Sequence, residues 1–319
     1  MILAGRISII VLLCASLTAC SIRQMAIKSI ADSLSSGSNI FSTDDDPEFV
    51  RDAIPFGLKM YESLLEKQPE HKGLLLATAR GFTQYTYAFV QFEADLVEDS
   101  DLIASRKLRK RAQLLYLRAR DYAIRGLEVD HPDFMSTLRV DTQSALKSMT
   151  KKDVPLLYWA GVSWSAAIAT SKDNLNLLSE LNIVEKIMGH ALRLDEAFNA
   201  GALHEFYIAF DGSRSAAMGG SIKRARQHFD RVIKLTSGKK ASPYVSLAEN
   251  ISVKEQNADE FRKLIKMALS INVNDEPAYR LENIISQRRA VWLLAHIEDL
   301  FLDTGESIDQ GHNLTDRIE

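Results

Sequence analysis

Residues 221–235 read SIKRARQHFDRVIKL. The segment is an amphipathic helix by its pattern, and Gly219-Gly220 followed by Ser221 supplies a turn and an N-cap in front of it. Ala225 and Phe229 stand in the Ala-x-x-x-Phe spacing that packs a small residue of one helix against a large one of the next. The segment ends in Ile-Lys-Leu-Thr-Ser, and that ending recurs in kind: LEKQP from residue 65, LEVDHP from 127, LRLDE from 192 and LSINVN from 269. The last three endings lie about 36 to 41 residues apart, near the ~34-residue helix-pair period of tetratricopeptide repeats. The earlier two are spaced wider and leave room for an inserted helix. This is the pattern of an all-α, tetratricopeptide-like helical-hairpin solenoid with a concave face open to a partner.

Working outward, nearly every segment agrees. Phe56, Met60 and Leu64 form an apolar stripe at spacing four, and Leu75, Phe82 and Phe89 fall at heptad spacing in GLLLATARGFTQYTYAFVQFEADL. No convincing alternating run occurs, so no sheet is expected. Only 7 prolines and 15 glycines interrupt a chain rich in Leu, Ala, Lys, Arg and Glu. The net charge of −3 lacks the basic field of a nucleic-acid binder, so no nucleic-acid partner is expected. The basic run Arg106–Arg111 follows an acidic stretch, Glu93–Asp101, and reads as a solvated face with local ion pairs rather than a docking patch.

The two cysteines, Cys14 and Cys20, both sit near the start. Arg6 is the lone charge before an apolar stretch that ends in Leu-Thr-Ala-Cys. That order is a secretory leader closing on a bacterial lipobox, too short for a comfortable membrane span. Residues 1–19 are therefore expected to leave as a signal peptide, and Cys20 to carry the lipid that ties the chain to a membrane. Ser21, in place of an Asp, favours the outer membrane, with the domain facing the periplasm. No thiol then remains for catalysis or metal binding. Residues 20–46 form a lipidated tether, residues 47–302 the helical domain, opened by an Asp46-Pro47 cap, and residues 303–319 a polar tail.

Chemistry is sparse. Ser-x-x-Lys occurs at Ser144, Ser148 and Ser237, but the Ser-Asp-Asn and Lys-Thr-Gly partners of penicillin-recognising enzymes are missing. His204-Glu205 lacks the second histidine of a zinc protease, and GSRSAAMGGS lacks the Gly-Lys-Ser/Thr of a phosphate loop. No enzyme, cofactor or metal is expected. The aromatics are more informative. Phe82, Tyr85, Tyr87, Phe89 and Phe92 crowd one helix beside Gly81; Trp159 and Trp164 flank Gly161; His204, Phe206, Tyr207 and Phe210 crowd a third. They occupy more than one face of their helices, so they cannot all fill one core. Phe82, Tyr85, Tyr87, Phe89, Trp159, Trp164, His204 and Phe206 are the candidate lining of a cavity between helix layers.

The stretches beginning DDPEFVRDAIPFGLKMYESLLEK, with YWAGVSWSAAI, GALHEFYIAF and KRARQHFDRVIKL, resemble the T-component lipoproteins of tripartite ATP-independent periplasmic (TRAP) transporters, the TatT family, from about Asp44 to Leu302. The resemblance implies an all-helical, tetratricopeptide-like periplasmic lipoprotein. It also implies a homotrimer, association with the TRAP substrate-binding protein, and a cavity for a hydrophobic or carboxylated ligand. The leading expectation is a transport accessory. A tetratricopeptide scaffold for envelope assembly, without ligand, is the alternative, and a periplasmic hydrolase stands behind both.

Cys20→Ala is expected to move the protein from the membrane to the soluble fraction, because the acyl chains supply the membrane affinity. Sedimentation of the variant with membranes after a salt wash would contradict the anchor.

Overall fold

The structure, a computed structural model, describes residues 25, 27–35, 40–171 and 173–304. The leader, Cys20 and residues 305–319 lie outside the described residues. Ten helices carry the architecture: α1 Pro47–Lys67, α2 Lys72–Tyr85, α3 Leu102–Glu128, α4 Val154–Ala169, α5 Leu181–Leu194, α6 Ala202–Ser213, α7 Ile222–Thr236, α8 Ser242–Leu247, α9 Ala258–Leu269 and α10 Arg280–Ala295. Shorter helical pieces join them, and no strand occurs among the described residues. No helix among these residues is long and apolar enough to cross a membrane. The fold is all-α and built of helical hairpins.

Local sequence sets the helix ends. The Asp46 carboxylate accepts the Phe49 N–H at 2.9 Å, and Pro47 opens α1 where its missing N–H costs nothing. Ser221 caps α7 by accepting from Arg224 N at 3.2 Å, after Gly219 has turned the chain with φ +83°. Arg109 of the basic run pairs with Asp95 at 3.0 Å and with Glu98, so the charges do form a local network.

Each helix packs on its neighbours in sequence: α2 on α3, α3 on α4, α4 on α5, α6 on α7 and α8, α9 on α10. Glycines permit close helix approaches, as at Gly161 and Gly81. A Cβ on Gly161 of α4 would lie 2.2 Å from Met188 Sδ of α5, and one on Gly81 of α2 would lie 2.7 Å from Leu58 Cδ2 of α1. The stack does not stay open. α10 returns to α1 and the segment before it. Arg288 makes a two-pronged contact with Glu48, Leu281 N donates to Ser42 O at 3.1 Å, and Arg280 Nη1 donates to Thr43 O at 2.9 Å. The concave face expected of a solenoid is thereby turned inward.

Two large cores hold the layers. One joins α3, α4 and α5 around Leu127, Leu157, Trp164 and Ile187; the other joins α6 to α10 around Ile208, Ala225, Phe261 and Leu293. Trp164, expected to line the cavity, is fully buried here. Its Nε1 donates to Glu180 at 2.8 Å and the Arg120 guanidinium lies 5.0 Å over its ring. Phe82 is also core, stacked on Tyr122 at 6.1 Å and packed on Leu58 and Ala119. α4 is apolar on every side and buried accordingly, and both its tryptophans enter the same core.

His204 is a buried packing residue between α6 and α7. Its Nδ1 lies 2.8 Å from Nδ1 of His228, whose ring stacks on Tyr207 at 4.8 Å. One imidazole must donate and the other accept, so the contact needs at least one neutral ring. Its Nε2 lies 3.3 Å from Glu196 Oε1 but off the line of a hydrogen bond. Burial, and next the His204 charge, push His228 down from 6.5 to about 4.

This packing carries two expected outcomes. Trp164→Ala is expected to cost about 3–5 kcal/mol, read as a lowered urea midpoint; an unchanged midpoint would mean that the ring is not packed as described. Protonation of His228 is favoured in the unfolded chain over the folded one. Stability present above pH 6.5 should therefore fall by on the order of 1–3 kcal/mol as pH drops toward 4. His228→Phe keeps the stack on Tyr207 and should flatten that part of a pH–melting curve.

Candidate functional site

The inward face of the stack surrounds a chamber of about 510 Å³, lined from α2, α4, α6, α8, α10 and the segments just after α2 and α8. The volume is that of a small-molecule site, typically ~300–1,000 Å³. Its wall mixes rings (Tyr87, Phe92, Tyr158, Trp159, Phe206, Phe210) with small residues such as Ala88, Ala166, Ala202 and Ala209, which leave the space unfilled. Glu282, Ile285, Ser286 and Arg289 place one face of α10 on this wall.

Two irregular turns shape it. α2 runs on through a π-helical turn, Thr86–Gln91, and α8 through another, Ala248–Ser252. Each contributes lining residues: Tyr87, Ala88 and Gln91 from the first, Glu249 and Asn250 from the second. A π turn inserts one residue into the helical repeat and rotates the succeeding residues by about 100°. Hence Phe82 and Phe89, seven apart, do not share a face. Phe82 enters the core, Tyr87 projects into the chamber, and Phe89 reaches the pocket next door.

Of the eight residues expected around a cavity, the structure brings Tyr87, Trp159 and Phe206 together on the chamber wall. Phe82, Trp164 and His204 are buried in helix packing instead, and Tyr85 packs against Phe89 at 5.8 Å and against the core beneath. Tyr87 keeps 55% of its surface free although protein lies close around it. Desolvation, and then the Glu249 charge, push its hydroxyl up to about 12.

The charged lining was not visible in the sequence. Lys240 Nζ, buried, binds Glu282 at 2.7 Å and Glu205 at 3.1 Å. Burial works against the ammonium, but the two carboxylates outweigh it and hold its pKa above that of a free lysine. Arg289 binds Asp95 at 2.7 Å and also Glu249, with its guanidinium 4.4 Å from the Trp292 centroid and 5.4 Å from that of Phe92. Here too burial opposes the charge, and Glu249 and Asp95 raise the pKa regardless. The heptad spacing of Glu282 and Arg289 on an otherwise mixed helix is the signal that could have revealed one wall.

A second pocket of about 480 Å³ lies at the seam between α1, the π turn after α2, and α10. It shares Ala88, Phe92 and Ile285 with the chamber, so the two spaces have a common wall. Phe89, Leu96 and Trp292 make it apolar, and Glu48, Arg51, Glu93 and Arg288 add charge to its lining.

The chain is 28% identical over 310 residues to a protein of Treponema pallidum (strain Nichols) that is described only as uncharacterised; the match covers 92% of this chain and 95% of the relative. Residues 43–301 match the family model described as TRAP transporter T-component. That span takes in every numbered helix and the whole lining of both pockets, and the chain belongs to the TRAP transporter T-component family.

Proposed function

We propose that this T-component serves its TRAP system by docking the periplasmic substrate-binding protein while its chamber holds a small molecule with an apolar body. The observation that carries the reading is a ~510 Å³ space walled by aromatic and small side chains, in a member of a transport family. Rings in a collapsed core touch one another; Tyr87 instead leaves more than half its surface free. In this reading the Cys20 lipid holds the domain at the outer membrane, facing the periplasm, and three copies assemble through their folded domains. The chamber can then take up, or hand over, the apolar part of a cargo that a soluble binding protein carries. The family supplies no catalytic residues, and the role proposed is transport rather than chemistry.

The test is capture from periplasm by the tagged mature protein, with native mass spectrometry of the molecules it holds. The expected outcome is co-purification of a TRAP substrate-binding protein and an extra small-molecule mass on the T-component. Capture of envelope-assembly proteins, with no bound mass, would favour the scaffold reading instead.

A further inference from the structure

The chamber wall is unbalanced in charge. Asp95, Glu205, Glu249 and Glu282 face it with only Lys240 and Arg289 in return, a net −2. Arg109 touches Asp95 from outside but also pairs with Glu98, so that outer pair leaves the balance unchanged. Both chamber cations are already engaged. Lys240 lies between two carboxylates and 5.4 Å from the Tyr279 ring centroid, and each terminal nitrogen of Arg289 meets a carboxylate while Trp292 and Phe92 lie close by.

The acceptors are in surplus. Glu205 uses Oε2 for Lys240, Glu249 uses Oε1 for Arg289, and Glu282 uses Oε1 for Lys240 and Ser242. The second oxygen of each accepts no hydrogen bond among the described residues. Near Glu249 stands the free ring of Tyr87, whose negative face suits a cation. A carboxylate ligand would meet like charge and find both lining cations already paired, with only neutral hydroxyl, amide and indole donors to offer. An ammonium would meet spare acceptors, opposite charge and an aromatic face.

We propose that the chamber binds cationic amphiphiles, an alkyl-ammonium class with the tail among the rings and the head among Glu205, Glu249 and Glu282, and that it discriminates against fatty carboxylates. The inference rests on the ligand-holding role above and specifies its chemistry. It departs from the carboxylated ligand that the resemblance implied.

Three ten-carbon probes share a tail and differ in charge: n-decylamine, n-decanol and n-decanoate. Their binding to the mature protein is measured calorimetrically at pH 7, below micelle-forming concentrations. Decylamine is expected to bind at least tenfold more tightly than decanoate, with decanol between. Glu249→Gln removes a carboxylate and releases Arg289, so it should weaken decylamine several-fold and strengthen decanoate while changing decanol less than twofold. Glu205→Gln should do the same at Lys240. Should either variant lose its fold, the wild-type salt response decides: decylamine affinity must fall as sodium chloride rises, while decanol affinity holds. Decanoate binding as tightly as decylamine, or salt-independent decylamine binding, overturns the ammonium inference and leaves the apolar chamber standing. If none of the three probes binds, the ligand-holding role itself fails.

Discussion

Arg289 connects regions of the chain that are remote in sequence. It projects from the last long helix, binds Asp95 beyond the first π turn and Glu249 within the second, and lies near the rings of Phe92 and Trp292. A buried guanidinium is tolerated only when its donors are satisfied and its charge answered, and both carboxylates do that here. This junction ties the last long helix to the segments that carry both π turns, and so to the wall on which Tyr87, Trp159 and Phe206 lie. The Arg288–Glu48 contact and the backbone bonds to Ser42 and Thr43 extend the same seam toward the start of the domain.

The helices and their ends were legible because they depend on near neighbours. Asp46-Pro47 and Ser221 cap where a short-range reading places caps, and Gly81 and Gly161 mark close helix contacts. The facing of individual rings was not legible, for two physical reasons. The π turn at Thr86–Gln91 breaks the 3.6-residue phase, so heptad spacing no longer predicts that Phe82 and Phe89 lie together. α4 is apolar all round, so no periodicity separates the chamber side, with Trp159, from the core side, with Trp164. Lys240 and Glu282 are far apart in the chain and carry no local motif, so their meeting depends on the path of the whole stack.

Two helices that could have run on regularly are each interrupted by a π turn, and both interruptions lie on the chamber wall. A π turn loosens backbone geometry and has a cost that packing elsewhere must cover. Here it aims Tyr87 inward after the first helix and brings Glu249 to Arg289 after the second. The irregular geometry thus falls where the wall needs side chains that a regular helix would point elsewhere.

The return of α10 also fixes an order of events in the life of the chain. A linear stack of hairpins can settle pair by pair as it is synthesised, each layer needing only the one before it. The partner that Asp95 and Phe92 wait for lies nearly 200 residues downstream, at Arg289 and Trp292. A nascent chain can therefore complete most of its layers and still expose, on its first hairpins, the acidic and aromatic surface that the final helix will cover. During that interval a folding helper, or a second copy with its own α10, could occupy the seam, which makes the last helix the element most suited to exchange between chains.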